Sequence, residues 1–179
     1  MNTPASGSWL LYLGLALFIV ALVLLLQSRR QRAQAGLPGG RVIYSDTRSW
    51  GKVEKPLVAE DIGLVGKPDY LLQSGDVIIP VEVKSGRAPA APYDSHIFQL
   101  AAYCMLVHKH FGTRPPYGIL HYSGRDFAID YTASLERALL DQLAEIRRDE
   151  GRRDVSRSHE ELARCRRCGF RDVCDQRLV

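Results

Sequence analysis

Three side chains in one short stretch, Asp69, Glu82 and Lys84, have the types and spacing for metal-assisted chemistry. They lie between Gly66 and Lys84, where a Ser-Gly-Asp turn at 74–76 separates two apolar runs, a hairpin signal. A two-residue loop, Gly75-Asp76, sets Ser74 against Val77 and, further out, Asp69 against Glu82. Opposed carboxylates repel and destabilise a sheet. A divalent cation is the simplest offset, because carboxylate oxygens are hard ligands suited to Mg²⁺ or Mn²⁺. Lys84 follows Glu82 by two positions and so shares its face of the strand. Val77, Ile79, Val81 and Val83 occupy the other face. The expectation is a strand with one core face and one face presenting an acid and an amine.

Periodicity and punctuation predict the elements that must position these groups. Arg41 to Asp46 alternates and reads as a first strand. Between Thr47 and Leu64 the pattern is ambiguous, with 57–61 suited to a helical turn. The hairpin occupies 66–84, and Ser85 to Tyr93 is a loop rich in Pro and Ala. Asp94 or Ser95 caps a helix running to about His110. Gly112 to Pro116 breaks it. Tyr117–Tyr122 and Asp126–Tyr131 form a second hairpin around Gly124. Thr132 or Ser134 caps a last helix to about Arg148. The fold class is therefore α/β (α+β), a mixed central sheet flanked by helices.

Upstream, Trp9 to Leu26 is an uncharged run of 18 residues. That length suits a transmembrane helix. No basic residue precedes the run, which argues against a signal peptide. Arg29, Arg30 and Arg32 follow it, and the positive-inside rule then puts the remainder in the cytoplasm. The expected organisation is a short segment 1–8, a membrane helix 9–27, a basic linker 28–40, a catalytic domain 41–158 and a cysteine-rich segment 159–179.

The chain has 179 residues and a formal net charge of +4. A mildly basic balance is compatible with nucleic acid or an anionic membrane surface. Of the four cysteines, Cys165, Cys168 and Cys174 cluster as C-x₂-C-x₅-C. This spacing favours thiolate ligation of zinc or an iron–sulfur cluster over a disulfide framework. Cys104 falls on the predicted helix and reads as a small buried apolar residue.

Pro68-Asp69 with Glu82-Val83-Lys84 resembles the signature of the PD-(D/E)xK nuclease superfamily. Gln99-x-x-x-Tyr103, fifteen residues after Lys84, resembles the motif that follows in its RecB-like branch. With the cysteine block, the stretch 57–178 is similar to the CRISPR-associated RecB-like exonucleases. The resemblance implies a restriction-endonuclease-like fold. It implies Asp69, Glu82 and the Val83 carbonyl as Mg²⁺ or Mn²⁺ ligands. Lys84 would orient the attacking water, and Gln99 and Tyr103 would contact DNA or hold the others in place. It implies hydrolysis of phosphodiester bonds at single-stranded DNA ends, and a [4Fe–4S] cluster on Cys165, Cys168 and Cys174. The sequence departs from that family in having no cysteine upstream of Cys104 to serve as fourth ligand. Zinc, with His159 as a further ligand, is the alternative. A catalytically silent, membrane-anchored DNA-binding or scaffold module of the same fold is the alternative function. His96, one helical turn before Gln99, is placed to line the cleft, with a surface or capping role as the leading expectation. Glu60 is the nearest upstream carboxylate and a candidate accessory ligand.

Overall fold

A computed structural model describes residues 8–34, 41–43 and 50–179, with side chains in the first helix from Tyr12 to Gln27. The segment 1–7, the expected linker punctuation at 35–40 and the continuation of the expected first strand at 44–49 lie outside the described residues. The uncharged run forms part of one helix, α1 (Ser8–Gln34). It carries on through Arg29, Arg30 and Arg32, so the expected linker is helical as far as Gln34. Its described side chains are exposed and apolar on every side, from Tyr12 and Leu13 to Leu25 and Leu26. Among the described residues, no helix is long and apolar enough to cross a membrane.

Among the described residues eight strands follow. β1 is Arg41–Ile43, β2 Trp50–Lys52, β3 Leu57–Ala59 and β4 Leu64–Gly66. β5 is Tyr70–Ser74 and β6 Val77–Arg87. Helix α2 (Asp94–Phe111) crosses over to β7 (Tyr117–Ser123), which turns at Gly124 into β8 (Arg125–Asp130). The main sheet has six strands in the order β1-β8-β7-β6-β5-β2. Among the described pairs β6 and β7 run parallel and the others antiparallel. α2 is the crossover that a parallel pair requires. The mixed sheet with helices is the predicted fold class.

The register of β5 and β6 is the expected one, with Ser74 opposite Val77 and Tyr70 opposite Val81. Gly75 takes the positive φ of 59° that the tight turn needs. One expectation for β6 is corrected. Its acid-and-amine face is not polar throughout, because a strand in the middle of a sheet is covered on both sides. On that face Ile78 packs with Leu57, Ala59, Leu106 and Val107 beneath α2. On the other, Ile79 and Val81 pack with Ile119 among Trp50, Tyr70, Leu72 and Tyr117. Each such fully buried aliphatic contributes about 1.5–3 kcal/mol. Pro80 is accommodated because it precedes the first β7 pair, Val81 with Ile119. There the strand has a neighbour on one edge only.

Other differences are local. Residues 57–61 are not one helical turn: β3 pairs with β4 as a separate two-stranded sheet, and a 3₁₀ turn spans Glu60–Ile62. β6 runs on to Arg87, into the expected loop, with a register irregularity against β7 after Lys84. α2 starts where expected, but no side chain caps it. Its end is closed by Gly112 at φ 76°, whose N–H donates to the His108 carbonyl. Thr132 does cap α3 (Ala133–Glu150), its Oγ1 accepting from the Leu135 N–H at 3.1 Å.

The chain divides into two units, Met1–Leu140 and Asp141–Val179. The second holds a short helix, α4 (Leu162–Arg166), and a 3₁₀ turn at Arg171–Val173. Arg157 ties it together, donating from Nε to the His159 carbonyl and from Nη1 to the Gln176 carbonyl.

Candidate active site

The site forms where the apolar surface of β6 under α2 gives way to polar side chains. Asp69 sits one residue before β5, at the end of the hairpin ladder. Its Oδ2 accepts the Val83 N–H at 2.8 Å, a side chain taking over where backbone pairing with β5 stops. Its own carbonyl accepts the Val53 N–H at 3.3 Å. These two bonds hold Asp69 beside the Glu82–Val83 peptide.

Glu82 is only 7% exposed. Its Oε1 accepts from Lys84 Nζ at 2.9 Å and from Gln99 Nε2 at 2.8 Å. Gln99 is the hub. Its Oε1 accepts from Lys84 Nζ at 2.7 Å, while its Nε2 also donates to the Tyr103 hydroxyl at 2.9 Å. This amide orientation serves an ammonium with the oxygen and two acceptors with the nitrogen, which the reverse orientation would not. Gln99 and Tyr103 share a face of α2 because they are four residues apart. Gly66 makes room for Tyr103. A Cβ there would meet the Tyr103 ring and Leu106 at 2.9 Å.

Burial is the main reason the Glu82 carboxyl is held above its ordinary range. Lys84 opposes that shift, and Asp69 adds to it by charge and by hydrogen bonding. Burial likewise raises the Tyr103 phenol, so it keeps its proton as a donor. A buried acid made more reluctant to ionise by a second acid has the electrostatics that a cation relieves. The two carboxyls lie within hydrogen-bonding reach of one another, so each presents oxygen to the same place. Among the described residues no group of three or more His, Cys, Asp or Glu side chains is arranged around a metal position. The chain thus offers two carboxylates and the intervening peptide. That donor set fits a hard divalent ion which takes its other ligands from water and phosphate. Glu60 is exposed in its 3₁₀ turn and joins none of these bonds.

The structure brings Asp69, Glu82, Val83, Lys84, Gln99 and Tyr103 together. It does not do the same for the thiols. Cys165 is buried, with its Sγ accepting the Leu178 N–H at 3.4 Å, while Cys168 is exposed and Cys174 half-buried. All three line a cavity of about 430 Å³ with His159, but they do not converge on one point. Spacing makes ligation sterically open, whereas convergence depends on the fold of the segment. Cys104 is buried at 1% exposure, and burial holds its thiol far above the usual range. It is packing, as expected.

The partner of His96 was not expected from the sequence. His96 Nδ1 lies 2.7 Å from the hydroxyl of Tyr122, whose position on β7 is in register with Lys84. The spacing of three from Gln99, which puts both on one helix face, was legible in the sequence.

The family model of the PD-(D/E)XK nuclease superfamily matches residues 21–175. No curated protein matches the chain.

Proposed function

The chain belongs to the PD-(D/E)XK nuclease superfamily, and from that premise we propose that it is a membrane-anchored, divalent-metal-dependent DNA nuclease acting on single-stranded ends. The observation that carries this reading is the closed network Glu82–Lys84–Gln99–Tyr103, with Asp69 pinned beside it. Asp69, Glu82 and the Val83 carbonyl would hold Mg²⁺ or Mn²⁺, which supplies phosphodiester neutralisation and water acidification. Lys84 is fixed by two acceptors at hydrogen-bond distance. Its ammonium is therefore pre-oriented to hold the nucleophilic water and to balance charge developing on the phosphate. Gln99 keeps that ammonium and the Glu82 carboxylate in one geometry, and Tyr103 keeps Gln99 in place. The network favours the enzyme over the silent module, because a scaffold has no use for three converging charges.

The finer assignments rest on the motifs. We place the chain in the RecB-like branch, near the CRISPR-associated exonucleases, on Gln99-x-x-x-Tyr103 and the cysteine block. The anchor rests on the run Trp9–Leu26 lying within one continuous helix followed by arginines, with the catalytic domain cytoplasmic. The cavity beside Cys165, Cys168 and Cys174 is proposed to close around a [4Fe–4S] cluster or zinc. Iron and zinc content of protein purified without oxygen decides between them.

The test of the nuclease reading is digestion of end-labelled single- and double-stranded DNA by the full chain in detergent, with Mn²⁺ or Mg²⁺. Wild type degrades the single strand from its ends; Glu82→Ala and Lys84→Ala lose at least about 100-fold in rate. Wild-type rates in either variant would sink the assignment.

A further inference from the structure

His96 and Tyr122 make a second polar pair on the face of the sheet that carries Glu82 and Lys84. Tyr122 is paired in register with Lys84 across the parallel β6–β7 ladder, so the two side chains lie side by side. His96 stands over Tyr122 from α2, three residues before Gln99, with its Nδ1 2.7 Å from the hydroxyl. Tyr122 is 2% exposed. Burial, with Tyr93 nearby, raises its phenol, so it stays protonated. Burial and the Lys84 charge together lower the pKa of His96, which favours the neutral ring. A neutral imidazole carries one N–H. If the buried hydroxyl donates its proton to Nδ1, that hydrogen sits on Nε2, the ring atom turned away from Tyr122. Tyr93, 57% exposed, packs edge-on against the same imidazole at 5.3 Å and limits its rotation.

We propose that His96 is a DNA-phosphate ligand of this site, its Nε2–H donating to a non-bridging oxygen next to the phosphate served by Lys84, with Tyr122 as the positioning residue that fixes the tautomer. A neutral donor suits this place. It adds a hydrogen bond to the backbone without setting a second cation against Lys84. The inference rests on the nuclease reading, but it is read out by binding.

The probe is a fluorescein-labelled single-stranded oligonucleotide, titrated by anisotropy against the full chain in detergent with Ca²⁺, which permits binding without turnover. The variants are His96→Ala, His96→Gln, His96→Asn and Tyr122→Phe, each checked by thermal melting. A glutamine amide places its nitrogen near imidazole Nε2, and an asparagine amide near Nδ1. His96→Ala weakens binding by about 10- to 100-fold, the loss of one hydrogen bond to a charged group. His96→Gln stays within about threefold of wild type and His96→Asn does not. Tyr122→Phe weakens wild type but changes nothing in the His96→Gln background, where there is no tautomer to set. Equal binding by the Gln and Asn variants, or unchanged binding in a folded His96→Ala, overturns the proposal. A wild type that binds but cuts nothing with any metal defeats the nuclease reading and leaves this result standing. A wild type that binds no DNA defeats both.

Discussion

Glu82 is drawn two ways: Lys84 and Gln99 stabilise its carboxylate, while burial and Asp69 oppose ionisation, and the opposition prevails. A carboxyl raised above its unfolded value stabilises the metal-free fold at low pH. That contribution is lost as pH rises through the folded pKa. A cation at Asp69 and Glu82 reverses the sense, because it needs both groups ionised. Mn²⁺ should therefore raise the melting temperature more at about pH 8 than at about pH 5. At a hundredfold excess over Kd the stabilisation is about 2.7 kcal/mol. It should fade at a higher pH than an ordinary glutamate, titrating near 4.5, would impose. Asp69→Asn or Glu82→Gln should remove it. A Mn²⁺ shift that is flat across this range, or retained in either variant, would refute the ligand assignment. The nearness of Asp69 to Glu82 was legible in the sequence because turn length fixes the register of the strands that lead to them. The bond from Asp69 to the Val83 N–H was not, since it depends on where β5 stops pairing.

At the scale of elements, α2 sets the site, and two glycines set α2. A Cβ at Gly118 would lie 2.6 Å from Leu100 Cγ, and one at Gly66 2.9 Å from the Tyr103 ring. Neither glycine has positive φ, so close approach is the only reason for glycine at either place. Overpacking of this kind costs about 1–3 kcal/mol. Gly118→Ala and Gly66→Ala should both lower the denaturation midpoint by such an amount. Only Gly66→Ala displaces the partner of Gln99 directly. It should thus reduce the cleavage rate of the folded protein well beyond Gly118→Ala. Equal activity in the two variants would show that Tyr103 does not hold Gln99. The long elements were readable because α2, α3 and the two hairpins each span enough residues for periodicity and turn residues to show. β2, β3 and β4 have three residues each, too few to display an alternation. They are strands because neighbours supply the hydrogen bonds, not because of local propensity.

At the scale of the whole molecule, α1 presents an unbroken apolar surface that none of its described side chains buries. An exposed surface of that extent marks an interaction with something apolar. A helix apolar on every side suits lipid better than a groove, which would need only one apolar stripe. In the proposed anchor, the arginines at 29, 30 and 32 would be the flank that stops transfer and fixes orientation. Two charges in the middle of the run should abolish this. An arginine at the helix centre opposes insertion by about 2.5–3.5 kcal/mol, so Leu17→Arg with Ile19→Arg shifts the balance by roughly twice that. Wild type should float with phospholipid vesicles in a density gradient and resist carbonate extraction, whereas the double variant should stay at the bottom. Both should cut the same oligonucleotide in detergent at similar rates, because neither substitution touches Asp69, Glu82, Lys84 or Gln99. Flotation of the double variant would mean that the run is not the anchor. Loss of cleavage in a folded double variant would mean that α1 takes part in the site itself.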